Sequence, residues 1–164
     1  MEDRLVSYLR EKKMTITTVE SCTGGMVAAK IVNVSGASYV FHEGFITYAN
    51  SAKEKYAGVS KDTLDKCGAV SADVAMEMAE GAAKNTGADV AIATTGIAGP
   101  DGGTKEKPVG LVYIGCFVCG KIFYKKCHFE GDRLAVREQS TKEAIGFAYE
   151  CLREAFDWRG QNER

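Results

Sequence analysis

The chain has 164 residues, 45 % of them apolar and 26 % charged, a globular balance that excludes a disordered or collagen-like chain. Twenty-one basic residues stand against 22 acidic ones, and the net charge of −1 argues against direct nucleic-acid binding by phosphate neutralisation. Eighteen glycines against 2 prolines point to tight turns and to backbone that approaches a ligand closely.

In chain order, Leu5, Val6 and Leu9 give the apolar side of a short helix. Charged residues surround them, so no signal-peptide core is expected. Thr15 to Val19 is β-branched and predicts a strand, followed by Glu20-Ser21-Cys22-Thr23-Gly24-Gly25 and a helical run from Met26 to Val32. Strand, Gly-containing turn and helix open an α/β unit. Gly36-Ala37-Ser38 is a turn. Tyr39 to Tyr48 reads as a strand or strand pair, with Gly44 as a candidate bulge, and Asn50 or Ser51 is placed to cap a helix through Tyr56.

A short helix is expected from Lys61 to Lys66, and a longer one begins after Ser71, with Val74, Met78 and Ala82 at helical spacing and Gly87 as its stop. Val90 to Thr94 is a buried strand feeding the loop Thr95 to Gly103. Val109 to Val118 and Ile122 to His128 form a hairpin around Cys119-Gly120. The last helix runs from Asp132 to Asp157 with Leu134, Ile145, Ala148, Leu152 and Phe156 on one stripe. One mixed α/β domain over residues 1–164 is the reading, with helices on both faces of a sheet that includes a hairpin. No apolar stretch approaches the ~20 residues of a membrane span, so the protein is expected in the cytoplasm.

Six cysteines, at 22, 67, 116, 119, 127 and 151, lie mostly in apolar segments and suit a reducing compartment. Cys116 and Cys119 make a C-x-x-C without the second pair that a structural zinc site needs, and neither histidine, His42 or His128, has a ligand partner at helical spacing. No metal site and no cofactor are expected. Walker A, dinucleotide-binding and nucleophile-elbow signatures are absent. Two histidines leave a Ser-His-Asp triad open but without local support, and lysine is the preferred base for a serine hydrolase here.

Three segments remain for chemistry. Ser21 to Gly25 offers helix N-terminal N–H groups to an anion. Thr95 to Gly103, with glycines at 96, 99, 102 and 103, suits a ligand loop at a strand end. Ser38, Tyr48 and Lys53 supply a hydroxyl, a phenol and an amine around one predicted strand, although their spacing does not prove that they meet.

Taken together, the segments Glu20-Ser21-Cys22-Thr23-Gly24-Gly25, Gly44-Phe45-Ile46-Thr47-Tyr48 with Asn50 and Lys53, Gly68-Ala69-Val70-Ser71, Thr95-Gly96-Ile97-Ala98-Gly99-Pro100-Asp101-Gly102-Gly103, Lys107-Pro108-Val109-Gly110 and Gly131-Asp132-Arg133 resemble the CinA (competence/damage-inducible protein A) C-terminal domain family. The resemblance spans about Leu5 to Phe156. It implies a three-layer α/β/α fold and a metal-independent amidohydrolase that converts nicotinamide mononucleotide (NMN) and water to nicotinate mononucleotide and ammonia in pyridine-nucleotide recycling. It also implies Ser38 as nucleophile, matching the second serine of a G-S-S turn that here reads Gly36-Ala37-Ser38, with Tyr48 and Lys53 as its helpers. Ser21 is the next candidate should Ser38 not act. Longer members carry a further N-terminal domain, and activity tied to it is not expected of this chain.

The remaining expectations concern substrate and surroundings. Ser21, Thr23, Gly24, Gly25, Thr95, Gly96 and Gly99 are expected to bind substrate, with Arg133 and Arg137 on the phosphate. Phe45, Ile46 and Tyr56 would desolvate Lys53. A homo-oligomer is expected, without membrane contact. The alternative is a non-catalytic module, binding a nucleotide phosphate or a competence- or DNA-damage-related partner.

Overall fold

The computed structural model describes residues 1–157. The elements are α1 (Glu2–Lys12), β1 (Ile16–Glu20), α2 (Met26–Val32), a 3₁₀ turn (Ala37–Tyr39), β2 (Phe41–Ile46), α3 (Asn50–Ala57), α4 (Lys61–Cys67), α5 (Ala72–Thr86), β3 (Val90–Gly96), β4 (Leu111–Val118), β5 (Lys121–His128) and α6 (Arg133–Asp157). The strands form one five-stranded sheet in the order β2-β1-β3-β4-β5. β1 pairs in parallel with both β2 and β3, and β4 runs antiparallel between β3 and β5. The sheet is therefore mixed and carries the expected hairpin. Residues 158–164, the end of the expected domain, lie outside the described residues.

Alternation along the strands divides the core in two. Ile16, Val90, Ile92, Val112 and Ile114 face α1, α2 and α6. Val19, Ala91 and Ala93 face α3, α4 and α5. This is the three-layer α/β/α arrangement. Two glycines let α5 settle against its neighbours: a Cβ on Gly115 would overlap the Ala75 carbonyl, and a Cβ on Gly81 would overlap the carbonyl of Ala57 in α3. The α3 helix is thus held at a fixed height on α5.

The register of β2 on β1 does shift, but just before Gly44 rather than at it: Ile16 stands opposite Phe41 and Thr18 opposite Gly44, so His42 and Glu43 together face Thr17. Ser71 caps α5 by accepting from Val74 N–H, and Gly87 ends it in the left-handed conformation. Two expectations fail. Neither Asn50 nor Ser51 caps α3, whose N-cap is Ala49 without a side-chain bond. Leu134 is 53 % exposed, because the first turn of α6 faces the strand-end loops and the buried stripe starts at Val136. Among the described residues no helix is long and apolar enough to cross a membrane.

Candidate functional site

The site begins with two consecutive residues that point to opposite faces of the sheet. Glu20 ends β1 on the α2 face, with Ile16 and Thr18; Ser21 follows on the α3 face, with Val19. Glu20 is fully buried. Its Oε2 accepts from Thr23 Oγ1, Gly25 N–H (3.0 Å) and Val27 N–H (3.0 Å), and its Oε1 from Ala28 N–H (2.8 Å). The start of α2 is therefore occupied by the chain's own carboxylate. Gly25 N–H is held by Glu20 and Gly24 N–H by Ser21 O, so these two expected anion donors are already engaged within the chain.

On the other face, Ser21 meets Lys53. Lys53 is 1 % exposed, and its Nζ donates to Ser21 Oγ (3.0 Å), Thr47 O (2.7 Å) and Tyr48 O (3.2 Å). Burial pushes the Lys53 amine below its usual range. Ile46 and Tyr56 do not supply that burial, being 60 % and 44 % exposed; the amine is enclosed by the end of β1 and the loop after β2. Two of the three partners are carbonyls, which only accept. A neutral amine keeps both N–H donations to them and turns its lone pair to the Ser21 hydroxyl. That is the arrangement a lysine general base requires. The neighbouring Cys22 thiol is pushed up to about 12, chiefly by burial, which leaves it protonated beside the serine.

Ser38 does not join this group. It sits exposed in the 3₁₀ turn that precedes β2, where Ile16 N–H donates to Val40 O at the start of β1. Ser21 follows the end of the same strand, a separation of roughly 15 Å at the usual rise per residue. Ser38 and Tyr48 flank one strand and so lie at opposite ends of the sheet. Ser21 and Tyr48 each follow one of two parallel strands and so lie at the same end.

The cleft at that end has a volume of about 260 Å³ and is lined on one side by Ser21, Cys22, Tyr48 and Lys53, on another by Thr95 to Gly99, and at the mouth by Asp101 and Arg133. Crevices outside the carboxyl ends of parallel strands are where open α/β sheets bind ligands. Thr95 Oγ1 donates to Ala69 O, and Lys107 Nζ donates to Cys67 O, so the glycine loop is tied to the segment before α5. Thr95, Gly96 and Gly99 thus line the cleft with Ser21. The two arginines part. Arg133 is exposed at the mouth and donates to Gly99 O (2.7 Å) and to the Tyr48 hydroxyl (2.9 Å). Arg137 donates to Cys22 O (3.0 Å) and Thr23 O (3.1 Å), bracing the turn from behind rather than facing the cleft.

Glu20 and Lys107 stand in the quoted motifs without an assigned role; for Glu20 the available signal is an acidic residue closing a buried strand just before a glycine turn. Cys116 is buried and Cys119 lies exposed in the hairpin turn, and among the described residues no three His, Cys, Asp or Glu side chains gather to hold a metal ion.

A family model described as CinA C-terminal domain matches residues 1–152. A CinA-like protein of Kosmotoga olearia is 53 % identical over 152 residues, covering 93 % of this chain and 37 % of that protein. A putative competence-damage inducible protein of Clostridium beijerinckii is 56 % identical over 141 residues, covering 86 % of this chain and 34 % of that one. The chain thus spans about a third of the length of these curated relatives. Among solved structures, the competence/damage inducible protein CihA of Agrobacterium tumefaciens superposes with a TM-score of 0.89 at 36 % identity, covering 91 % of this chain and 92 % of that chain. A CinA superfamily protein of Klebsiella pneumoniae gives 0.90 at 33 % identity, covering 93 % and 96 %.

Proposed function

This chain belongs to the CinA C-terminal domain family, and on that premise we propose that it is an amidohydrolase acting on nicotinamide mononucleotide, with Ser21 as nucleophile and Lys53 as base. The observation that carries the reading is the buried contact between Lys53 Nζ and Ser21 Oγ. A serine hydroxyl attacks an amide only when a base accepts its proton, and lysine does so only when neutral. Burial without a neighbouring carboxylate pushes Lys53 toward that form: its three partners are a hydroxyl and two carbonyls.

In the reaction, Ser21 Oγ forms a bond to the carboxamide carbon while its proton passes to Lys53 Nζ. Collapse of the tetrahedral intermediate breaks the C–N bond, and Lys53 returns the proton to the departing nitrogen, releasing ammonia. Water then attacks the Ser21 ester while its proton passes to Lys53; the ester C–O bond breaks, Lys53 returns that proton to Ser21 Oγ, and nicotinate mononucleotide is freed. The backbone N–H of Cys22 makes no hydrogen bond among the described residues and is a donor available to the oxyanion. Arg133 at the mouth suits the phosphate, whose oxygens would replace Tyr48 and Gly99 as its acceptors.

The test is ammonia release from NMN by the purified protein and by Ser21→Ala. Release by the wild type alone supports the reading. Binding of NMN by both without release would move the chain to the non-catalytic alternative.

A further inference from the structure

We propose that Glu20 is the positioning residue of the nucleophile turn: its buried carboxylate occupies the start of α2 so that Ser21 Oγ and the Cys22 N–H are aimed into the cleft. The inference rests on the reading of Ser21 as nucleophile and adds a residue that never touches the substrate. A carboxylate only accepts, with room for about four hydrogen bonds. Glu20 receives four, three from backbone N–H groups of the first turn of α2 and one from Thr23. Thr23 has a single O–H, which goes to Glu20, so Thr94 donates its own hydroxyl to Thr23 Oγ1 (2.7 Å). Ser21 N–H donates to Thr94 O (2.9 Å). Glu20, Thr23, Thr94 and the Ser21 backbone thus form one closed ring of bonds between β1, β3 and α2. Arg137 closes it from outside through Cys22 O and Thr23 O.

Positive φ angles at Gly24 (60°) and Gly25 (100°) turn the chain sharply enough for the first helical N–H groups to reach back to Glu20. Because adjacent strand residues point to opposite faces, a carboxylate fixed under α2 fixes Ser21 toward Lys53 on the other side. An amide at position 20 would keep one acceptor oxygen for the Thr23, Gly25 and Val27 donors but set an NH₂ group against the Ala28 N–H. The turn then shifts, and small displacements of a nucleophile can cost up to about 100-fold in rate.

The test compares wild type, Glu20→Gln, Thr23→Val and Thr23→Ser by the rate at which a fluorophosphonate probe phosphonylates Ser21, read by peptide-mapped mass. Fluorophosphonate needs an activated serine but neither an amide nor a nucleotide, so it works independently of NMN. The same variants are assayed for NMN turnover and for melting temperature. The expected result is labelling of Ser21 in the wild type, a fall of roughly 10- to 100-fold in Glu20→Gln, and an unchanged KM for NMN. Thr23→Val keeps the side-chain shape, loses the hydroxyl and also labels slowly, whereas Thr23→Ser restores labelling. If Glu20→Gln does not fold, the Thr23 pair decides alone. Wild-type labelling rates in Glu20→Gln, or in Thr23→Val, overturn the role of Glu20 while leaving Ser21 as nucleophile. A wild type that does not label at Ser21 overturns the nucleophile reading, and the role of Glu20 falls with it.

Discussion

The two ends of the parallel strands carry similar local sequence and different chemistry. At one end, Gly36-Ala37-Ser38 presents a serine in a glycine turn, exposed to solvent at the start of β2. At the other, Ser21 follows β1 in a second glycine turn, 8 % exposed, with a buried lysine 3.0 Å away. A hydroxyl in water has no base beside it and no reason to be more nucleophilic than any other serine. A hydroxyl against a desolvated amine does. What separates them is topology: in parallel strands, every residue that follows a strand gathers at one edge of the sheet.

Replacing each serine in turn gives the largest contrast. Ser21→Ala should abolish ammonia release from NMN, while Ser38→Ala should leave kcat and KM within about twofold of wild type, because an exposed turn serine contributes little to a site at the far end of the sheet. Steady-state ammonia assays on the two variants measure this directly. Loss of activity in Ser38→Ala alone would return the nucleophile to the other end.

The base comes next. Activity should climb with pH through a midpoint below the ordinary lysine range, as Lys53, held down by burial, loses its proton. Lys53→Ala should remove most of the rate together with this limb. The same group makes a linked stability claim. Burial lowers its value in the folded state, so the unfolded chain binds more protons between the two values and stability rises with pH across that window. Below the folded value this contribution is lost. Denaturant unfolding at several pH values should show the slope in wild type and not in Lys53→Met.

At the cleft mouth the contrast is between two arginines. Arg133→Ala should raise KM for NMN by roughly ten- to a hundredfold, the usual worth of a charge-assisted contact, with little effect on the dephosphorylated riboside. Arg137→Ala should lower kcat on both substrates alike, because Arg137 holds the Cys22 and Thr23 carbonyls rather than the ligand. Selective loss of phosphate discrimination in Arg137→Ala would reverse the two assignments.

A smaller effect is expected farther away. Gly81→Ala puts a methyl group into the Ala57 carbonyl and lifts α3 from α5. Overpacking of this kind costs about 1–3 kcal/mol. Since α3 carries Lys53, the melting temperature and the rate should fall together. Gly87→Ala, where a Cβ would meet nothing within 4 Å but φ is 71°, should cost stability by backbone strain without the loss of rate.

Much of this was readable before the fold. Helix α2 and the capped start of α5 follow from spacing and from Ser71, and the hairpin follows from the short Cys119-Gly120 connection. Lys53 and the Thr95 to Gly99 loop were also picked out, by resemblance and by glycine content. Sequence patterning gives strands without directions, so it does not show that Ser38 lies at the end of the sheet away from Lys53. Knowing that β1 and β2 are parallel would have placed Ser21 with Tyr48 and Lys53. Tyr48 lies in the same cleft, where its carbonyl accepts from Lys53 and its hydroxyl accepts from Arg133. Glu20 stands in the quoted motif, but its role is not legible there. A buried carboxylate is unfavourable on composition alone, and only its four donors, drawn from residues 23 to 28, explain it.

The central claim, that the lysine-backed serine at the end of β1 does the chemistry, has one direct measurement. Wild-type protein mixed with NMN and quenched in acid during turnover can be digested and mapped by mass for a serine ester of nicotinate mononucleotide. The account expects that ester on the peptide containing Ser21, absent when Lys53 is replaced by Ala. An ester on the peptide containing Ser38, or steady ammonia release by Ser21→Ala, would contradict it.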